Sequence, residues 1–309
     1  EMMRATGAPG TAHLREMLER GSDVSGVSSV GLLSRLEPAA LEPSVLNGLP
    51  KWSLTQHDLL IRQLAFGNSP QRGVMLAGWL SKLHPLLQPE ALDEMGMAGD
   101  RRVSVLLLQI AGGELKQMDA PYVRLKAIEA LGRLREPQAA ALLRQLVESK
   151  KMWGWEHAHE LRLVAAQALS KLDPPWAKSR LAAAGLSPEE LNLAPPLDPG
   201  PSVAWSRARR YPRLQLALSL PAVVTSGASK QNLAIKVLNL GGGLAKGEVP
   251  VGGGHSAVLE MRSGFRTIRA EVLVREARSE QLTYEVVQMN FDERAKLRRL
   301  LAGLEAVAI

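Results

Sequence analysis

The chain has 309 residues and a formal net charge of +7, with 46% hydrophobic, 4% aromatic and 22% charged residues and no cysteine. This length is typical of about two domains, and the charged fraction is too low for an intrinsically disordered chain. The absence of cysteine excludes disulfides, thiolate metal sites and cysteine nucleophiles.

No continuous apolar run is long enough to span a membrane, and the N-terminus has no secretion signal, so we expect a cytoplasmic protein. Glu1 precedes Met2, which is compatible with a fragment of a longer protein. The positive charge is concentrated in one part of the chain. Residues 201–309 contain 16 Lys and Arg against 9 Asp and Glu, whereas residues 1–200 contain 22 of each. This division predicts a neutral, protein-facing part followed by a basic part that binds an anion.

The first segment is rich in Gly, Ser and Pro and has one short helical pattern, at His13–Arg20. We interpret residues 1–50 as a loosely ordered lead-in that docks on the following domain. Residues 51–193 carry Leu and Ala at spacings of three and four, which predicts helices. An internal repeat supports this prediction, because Val123–Ala127 recurs as Leu161–Ala165 at a period of 38 residues. Each unit reads as an apolar helix, a proline-containing turn and a second helix.

The repeated Val/Leu-Arg-x-x-Ala-x-x-Ala-Leu pattern resembles the first helix of HEAT repeats. That resemblance implies an α-solenoid of HEAT-like helix pairs over residues 51–193, in which small Ala residues let the helices approach closely. Two earlier helix pairs, Leu54–Leu87 and Pro89–Gly113, are placed by spacing alone. Residues 194–206 follow with four prolines within seven positions, which predicts a stiff, extended linker and a domain boundary.

The pattern changes to a period of two after Arg213. Glycine-rich turns separate five predicted strands: Leu214–Val224, Leu233–Asn239, Ala257–Met261, Thr267–Arg275 and Leu282–Met289. Asp292 is the predicted cap of a helix that ends near Val307. Residues 207–309 are therefore predicted to form a small antiparallel β-barrel with a terminal helix.

An arginine-rich arm opens this second domain, with Arg207, Arg209, Arg210 and Arg213 inside seven residues. Guanidinium groups hold phosphates bidentately and stack on flat bases, so the arm suggests a nucleotide or another polyanion. The alternatives are a solvated basic segment or a contact to the solenoid.

The arm and a later turn together resemble the signature of the PilZ domain, a small bacterial β-barrel that binds cyclic di-GMP. The signature combines an Arg-x-x-x-Arg arm with an Asp/Asn-x-Ser-x-x-Gly turn. Arg209 and Arg213 match the arm, and Asn239 matches the first position of the turn. Gly241 replaces the Ser, and Leu244 stands where the last Gly belongs. The resemblance covers residues 207–309.

The resemblance implies that cyclic di-GMP binds where the arm meets the barrel, through Arg209, Arg210, Arg213, Asn239, Gly241 and Gly243. The arginines would contact phosphates and guanine, and the Asn would contact a guanine edge. Because Gly241 has no hydroxyl, one hydrogen bond of the family's site is missing, which weakens binding by about 1–3 kcal/mol. The alternative is a hairpin turn in which the glycines serve only the backbone.

Two other motifs have ordinary interpretations. Gly252–Ser256 precedes a predicted strand and lacks the Lys of a phosphate loop, so we predict a turn. His157 and His159 would diverge by about 200° on a helix, so no metal site is predicted. The surrounding segment Trp153–Glu160 reads as a long loop between helices whose tryptophans cover the solenoid edge, with a partner-binding patch as the alternative.

These observations predict a non-enzymatic bacterial signalling adaptor, with no cofactor, that binds cyclic di-GMP and relays it to a protein partner through the solenoid. No catalytic constellation of residues stands out. The first alternative is a ligand-free scaffold with a degenerate PilZ domain. The second is a nucleic-acid-binding or repair protein, which the neutral helical part disfavours.

Overall fold

The computed structural model describes residues 8–20, 24–198, 210–248, 252–278, 280–304 and 306–308. The chain folds into a helical N-terminal region, followed by a closed six-stranded antiparallel β-barrel and a C-terminal helix. Within these ranges, no helix combines the length and the apolar composition that crossing a membrane requires.

The helical region contains thirteen α-helices among the described residues. They are α1 (Ala8–Arg20), α2 (Val24–Ser28), α3 (Val30–Leu36), α4 (Pro38–Gly48), α5 (Leu54–Gly67), α6 (Arg72–Trp79), α7 (Gln88–Ala98), α8 (Ser104–Gly112), α9 (Pro121–Leu134), α10 (Ala139–Glu148), α11 (His159–Leu172), α12 (Pro174–Arg180) and α13 (Pro188–Asn192). A two-stranded hairpin, β1 (Lys150–Lys151) and β2 (Gly154–Trp155), lies between α10 and α11.

The N-terminal segment differs from the loosely ordered lead-in that its composition predicts, because residues 8–20 and 24–48 are mostly helical. Leu14, Val27 and Leu33 are buried in one continuous core with the later helices. The prolines and glycines divide this segment into short helices rather than preventing them, and Pro38 starts α4, where its missing N–H costs nothing.

The predicted repeat is visible in the helix bounds, since α9 and α11 have 14 residues each and begin 38 positions apart. Helices α7, α9 and α11 lie side by side. A Cβ atom added at Gly96 would lie 2.9 Å from the Cα of Ala130, and one added at Gly132 would lie 2.9 Å from the Cβ of Ala168. Small residues at these positions let the backbones of α7, α9 and α11 approach closely, whereas the prediction placed such contacts within each helix pair.

The barrel consists of β3 (Leu214–Ser226), β4 (Ser229–Asn239), β5 (Gly242–Lys246), β6 (Ser256–Ser263), β7 (Arg266–Arg278) and β8 (Gln281–Gln288). They pair antiparallel in the order β3-β4-β5-β8-β7-β6, and β6 closes the barrel on β3. The short strand β5 was expected to be part of a glycine turn. A further strand, β9 (Ala306–Ala308), pairs with the start of β3 where the sequence predicts the end of the last helix.

Alternate residues of each strand point into the barrel, for example Leu220, Ala222 and Val224 on β3. Helix α14 (Phe291–Gly303) adds Leu297 and Leu301 to the same core. Its N-cap is Asn290, whose side chain accepts the backbone N–H of Glu293, rather than the predicted Asp292. The helix starts earlier because the side-chain oxygen of Asn290 already accepts a hydrogen bond from a backbone N–H of the first turn.

The barrel packs directly on the helical region. Leu273 of β7 and Val287 of β8 point outward and are buried in the helical core. Tyr122 of α9 joins the barrel core, and its hydroxyl donates to the carbonyl of Val286 at 3.5 Å. The backbone N–H of Leu197 donates to the carbonyl of Arg210 at 2.8 Å. Most of the predicted linker, residues 199–206, lies outside the described residues.

Replacing Gly132 with Val is expected to lower the free energy of unfolding by about 1–3 kcal/mol, because the new side chain would overpack the contact between α9 and α11. Urea unfolding followed by circular dichroism measures the change. Gly303 in α14 faces open space, so Gly303→Ala is the matched control and should be close to neutral. Equal effects of the two variants would contradict the close approach of these helices.

Candidate functional site

The structure brings part of the predicted arm onto the predicted turn. Arg209 lies outside the described residues, whereas Arg210 and Arg213 are described and Arg213 is exposed just before β3. Between them, Tyr211 is buried against the turn that joins β4 and β5. Tyr211 therefore places the described start of the arm beside this turn.

Asn239 ends β4 and is buried. Its Oδ1 accepts the backbone N–H of Gly241 at 2.8 Å, and its Nδ2 donates to the carbonyl of Tyr211 at 3.3 Å. The amide that was predicted to meet a guanine edge thus joins the arm to the turn. Its hydrogen-bonding groups are engaged within the chain.

The two glycines of the predicted site have packing roles. A Cβ atom at Gly241 would lie 2.8 Å from Cδ2 of Tyr211 and 3.0 Å from its Cε2, so no Ser fits without moving the ring. Gly243 lies in β5, and a Cβ there would be 2.6 Å from the hydroxyl of Tyr284. Packing against the rings of Tyr211 and Tyr284 therefore accounts for both glycines.

Tyr211 also anchors the arm to the helical region. Its hydroxyl donates to Oε1 of Glu129 at 2.6 Å and accepts from Nζ of Lys126 at 2.8 Å. The ammonium group of Lys126 lies 4.7 Å from the centre of the Tyr211 ring. Burial, reinforced by the Glu129 carboxylate, raises the pKa of Tyr211, so the hydroxyl stays protonated and donates.

These contacts belong to a buried group of charges, which we call the interface network. On the helical side, Lys126 pairs with Asp93 at 2.7 Å, and Arg133 pairs with the same carboxylate at 2.5 Å. Burial by itself would raise the pKa of Asp93, but Lys126 and Arg133 outweigh it and hold the pKa well below its ordinary value. On the barrel side, Arg294 of α14 pairs with Glu129 at 3.0 Å. Asp93 therefore stays charged when the interface is formed.

Two further ion pairs extend the network to both sides. Arg298 of α14 contacts Glu160 of α11 at 2.9 Å. Arg210 of the arm contacts Glu94 of α7 at 2.8 Å, and Glu94 also pairs with Arg72 at 2.9 Å. Arg210, predicted as a phosphate ligand, is here paired with a carboxylate of the helical region. This ion pair is the contact between the arm and the helical region that was expected from the sequence as the alternative to phosphate binding.

A separate cluster surrounds Arg275 of β7. Its guanidinium contacts Glu90 of α7 at 2.7 Å and Glu285 of β8 at 2.8 Å, and it bonds Asp58 of α5. Arg62 approaches the same Asp58 carboxylate at 3.6 Å. Burial, opposed by Arg275 but reinforced by the two neighbouring carboxylates, raises the pKa of Glu90 to about 8.

Part of the basic charge of the barrel part thus binds acids of the helical part. Four arginines do so: Arg210, Arg275, Arg294 and Arg298. The sequence shows the excess of positive charge in this part but not which carboxylates pair with it. Lys126, Glu129 and Arg133 follow i, i+3, i+7 spacing, a stripe that by itself is typical of a solvent-facing helix side.

A comparison with models of protein families found no match, and a comparison with curated proteins found none either. Eight chains of solved structures match. One of them is the Bacillus subtilis inhibitor of motility, MotI/DgrA, with 16% sequence identity and a TM-score of 0.26. The match covers 34% of this chain and 56% of that one, so this chain spans little more than half of that protein's length. At this identity and TM-score, the likeness identifies neither the family nor the function of the chain.

The raised pKa of Glu90 predicts a pH-dependent stability. Because the folded-state pKa of about 8 lies above the ordinary 4.5, the folded protein holds a proton that the unfolded chain loses between these values. Stability should therefore fall as the pH rises from about 4.5 to about 8. Glu90→Gln, which mimics the protonated carboxyl, should be nearly neutral at acidic pH and stabilising above the folded-state pKa, by at least about 1 kcal/mol.

Urea unfolding midpoints at acidic, neutral and basic pH measure this difference. Glu276→Gln is the matched control, since Glu276 pairs with Arg278 on the exposed surface. If wild type and Glu90→Gln have parallel pH profiles, Glu90 is not the titrating group.

A Ser at position 241, as in the PilZ signature, should destabilise the fold. Gly241→Ser is expected to lower the free energy of unfolding by about 1–3 kcal/mol, because its Cβ collides with the Tyr211 ring. Gly252→Ser, at an exposed glycine with nothing closer to its Cβ than the His255 ring at 3.9 Å, should change it by less than about 0.5 kcal/mol. Thermal unfolding compares the two, and a neutral Gly241→Ser would show that the Tyr211 ring moves freely.

Proposed function

We propose that this chain is a non-enzymatic signalling adaptor of PilZ type that binds cyclic di-GMP through its arm and the Asn239 turn. The observation that carries the proposal is the direct contact of these two segments, where the Asn239 amide donates to the Tyr211 carbonyl. Segments that are distant in sequence but adjacent in the fold can form one site. The arm also carries the charge that two phosphates require, since each charge-assisted hydrogen bond contributes about 1.5–3 kcal/mol.

The expected affinity is low. The site has no hydroxyl at Gly241, and a guanine would compete with Tyr211 and Gly241 for the Asn239 amide. Each lost hydrogen bond weakens binding by about 1–3 kcal/mol, so a micromolar site would become a high-micromolar or millimolar one.

The signal would pass through the contacts that hold the arm. A phosphate that binds Arg210 competes with the carboxylate of Glu94, and a ligand that displaces Tyr211 removes a hydrogen bond from Glu129. Ligand binding would therefore weaken the interface between the barrel and the helical region. This gives two states, docked and released, that a ligand can bias.

The helical region is the proposed relay to a protein partner. The equal lengths and regular offset of α9 and α11, and the close packing of α7, α9 and α11, support a HEAT-like arrangement of helix pairs. Such repeats present extended surfaces for protein binding. Nucleic-acid binding is less favoured, because four arginines of the barrel part are paired with carboxylates.

Isothermal titration calorimetry of the full chain with cyclic di-GMP tests the proposal. Wild type should bind in the high-micromolar range, and Arg209→Ala/Arg213→Ala should lose about tenfold or more of that affinity. Arg278→Ala is the matched control, because Arg278 is exposed, far along the chain and paired with Glu276. Glu94→Gln should tighten binding, since it frees Arg210 from its carboxylate.

An absence of binding heat with wild type at millimolar ligand would overturn the sensor proposal. It would favour a second candidate, a ligand-free scaffold in which the barrel is a fixed part of an interaction protein. A specific observation supports that candidate: the Tyr211 ring fills the space beside Gly241, and the Asn239 amide is satisfied within the chain.

A further inference from the structure

The hairpin between α10 and α11 presents an apolar tip. The sequence predicted a loop whose tryptophans cover the edge of the helical region, and the structure separates the two tryptophans. Trp155 is half-buried, whereas Met152 and Trp153 form the tip and are 87% and 91% exposed. Met152 and Trp153 are adjacent in the chain, so they form one small apolar patch with little contact to the rest of the protein.

The hairpin is held in a fixed position. Lys150 pairs with Trp155 across β1 and β2, and the N–H of Glu156 donates to the carbonyl of Ser149 at 3.0 Å. The guanidinium of Arg162 lies 3.6 Å from the centre of the Trp155 ring. The apolar tip therefore projects from an anchored base.

The base of the hairpin is cationic. Lys150 and Lys151 are exposed directly behind the tip, and Glu156 is the acid of the same segment. Below them, Arg162 donates to the carbonyl of Val147 at 3.0 Å, and Arg124 donates to the carbonyl of Ala111 at 3.1 Å. The guanidinium of Arg162 thus bonds only neutral carbonyls, whereas the charge of Arg124 is partly offset by Asp119.

The pKa of His157 reports the same surroundings. Burial lowers this pKa, and Arg124, Lys151 and Arg162 lower it further, while Glu156 opposes them. The region around the hairpin thus combines a convex apolar tip with a net positive base. A protein partner would need a pocket that matches the tip, whereas a bilayer interface accepts it without one. Trp favours the membrane–water interface, and lysines favour anionic headgroups.

We propose that the hairpin Lys150–Trp155 docks the protein on an anionic lipid bilayer. Met152 and Trp153 enter the interfacial layer, and Lys150 and Lys151 lie at the level of the headgroup phosphates. The contact is peripheral and reversible, because a single short hairpin buries little apolar surface. It does not depend on cyclic di-GMP binding, which would use residues of the arm and of the Asn239 turn.

Flotation of the full chain with lipid vesicles tests the proposal. Wild type should float with vesicles of phosphatidylcholine mixed with phosphatidylglycerol, and much less with phosphatidylcholine alone or at high salt. Met152→Ser/Trp153→Ser should reduce partitioning about tenfold or more. Lys150→Gln/Lys151→Gln should reduce it about fivefold per lysine on the anionic vesicles only.

Phe265→Ser is the matched control, because Phe265 is a fully exposed aromatic residue at the tip of the β6–β7 hairpin, beside Arg266. It should leave partitioning unchanged. Brominated lipid should quench the tryptophan fluorescence of wild type but not the same component in Trp153→Phe, which locates Trp153 in the bilayer.

Three results would overturn the proposal. Wild type fails to float with the anionic vesicles; the Met152→Ser/Trp153→Ser variant floats like wild type; or Phe265→Ser loses as much partitioning as that variant. Binding of the hairpin to an acidic protein in place of vesicles would assign the tip to a protein partner instead.

Discussion

The carboxylate of Glu129 is the contact on which the arrangement of the chain depends. It accepts hydrogen bonds from the Tyr211 hydroxyl at 2.6 Å, from Lys126 at 3.1 Å and from Arg294 at 3.0 Å. A buried carboxylate without partners is very costly, and here its donors come from α9, from the arm and from α14. The charge is therefore satisfied only when all three elements are in place. Apolar packing of the barrel on the helices adds stability, but hydrogen-bonded charges fix the relative position of the two parts.

The same network determines what the arm can do. Tyr211 stands between the two arginines of the PilZ-like arm, and its docking on Glu129 brings its ring over Gly241. A side chain at position 241 would collide with this ring, so the docking of Tyr211 requires the glycine. Arg210 is also engaged by the helical region, because its guanidinium pairs with Glu94. The described part of the arm therefore connects the barrel to the helical region. An anion that bound Arg210 would compete with the carboxylate of Glu94.

Much of the fold could be predicted from the sequence where one periodicity dominates. The repeat predicted α9 and α11, and alternation predicted most strands of the barrel, because side-chain direction follows from local backbone geometry. The predictions were incomplete where local signals conflict. The glycines that form β5 read as a turn, and the short helices α2–α4 read as a loose segment, whereas the pattern at His13–Arg20 did predict α1. Their stability comes from burial against distant residues, which no local window contains.

The sequence by itself determined most of the helical and strand segments and the concentration of positive charge after residue 200. It also placed Arg210 and Asn239 in a candidate site. Only the tertiary structure decided which charges meet, because Arg210 and Glu94 are 116 residues apart in the chain. Periodicity tells which face of an element a side chain occupies. What lies opposite that face depends on how the elements pack, and buried charges accept only an arrangement that pairs them.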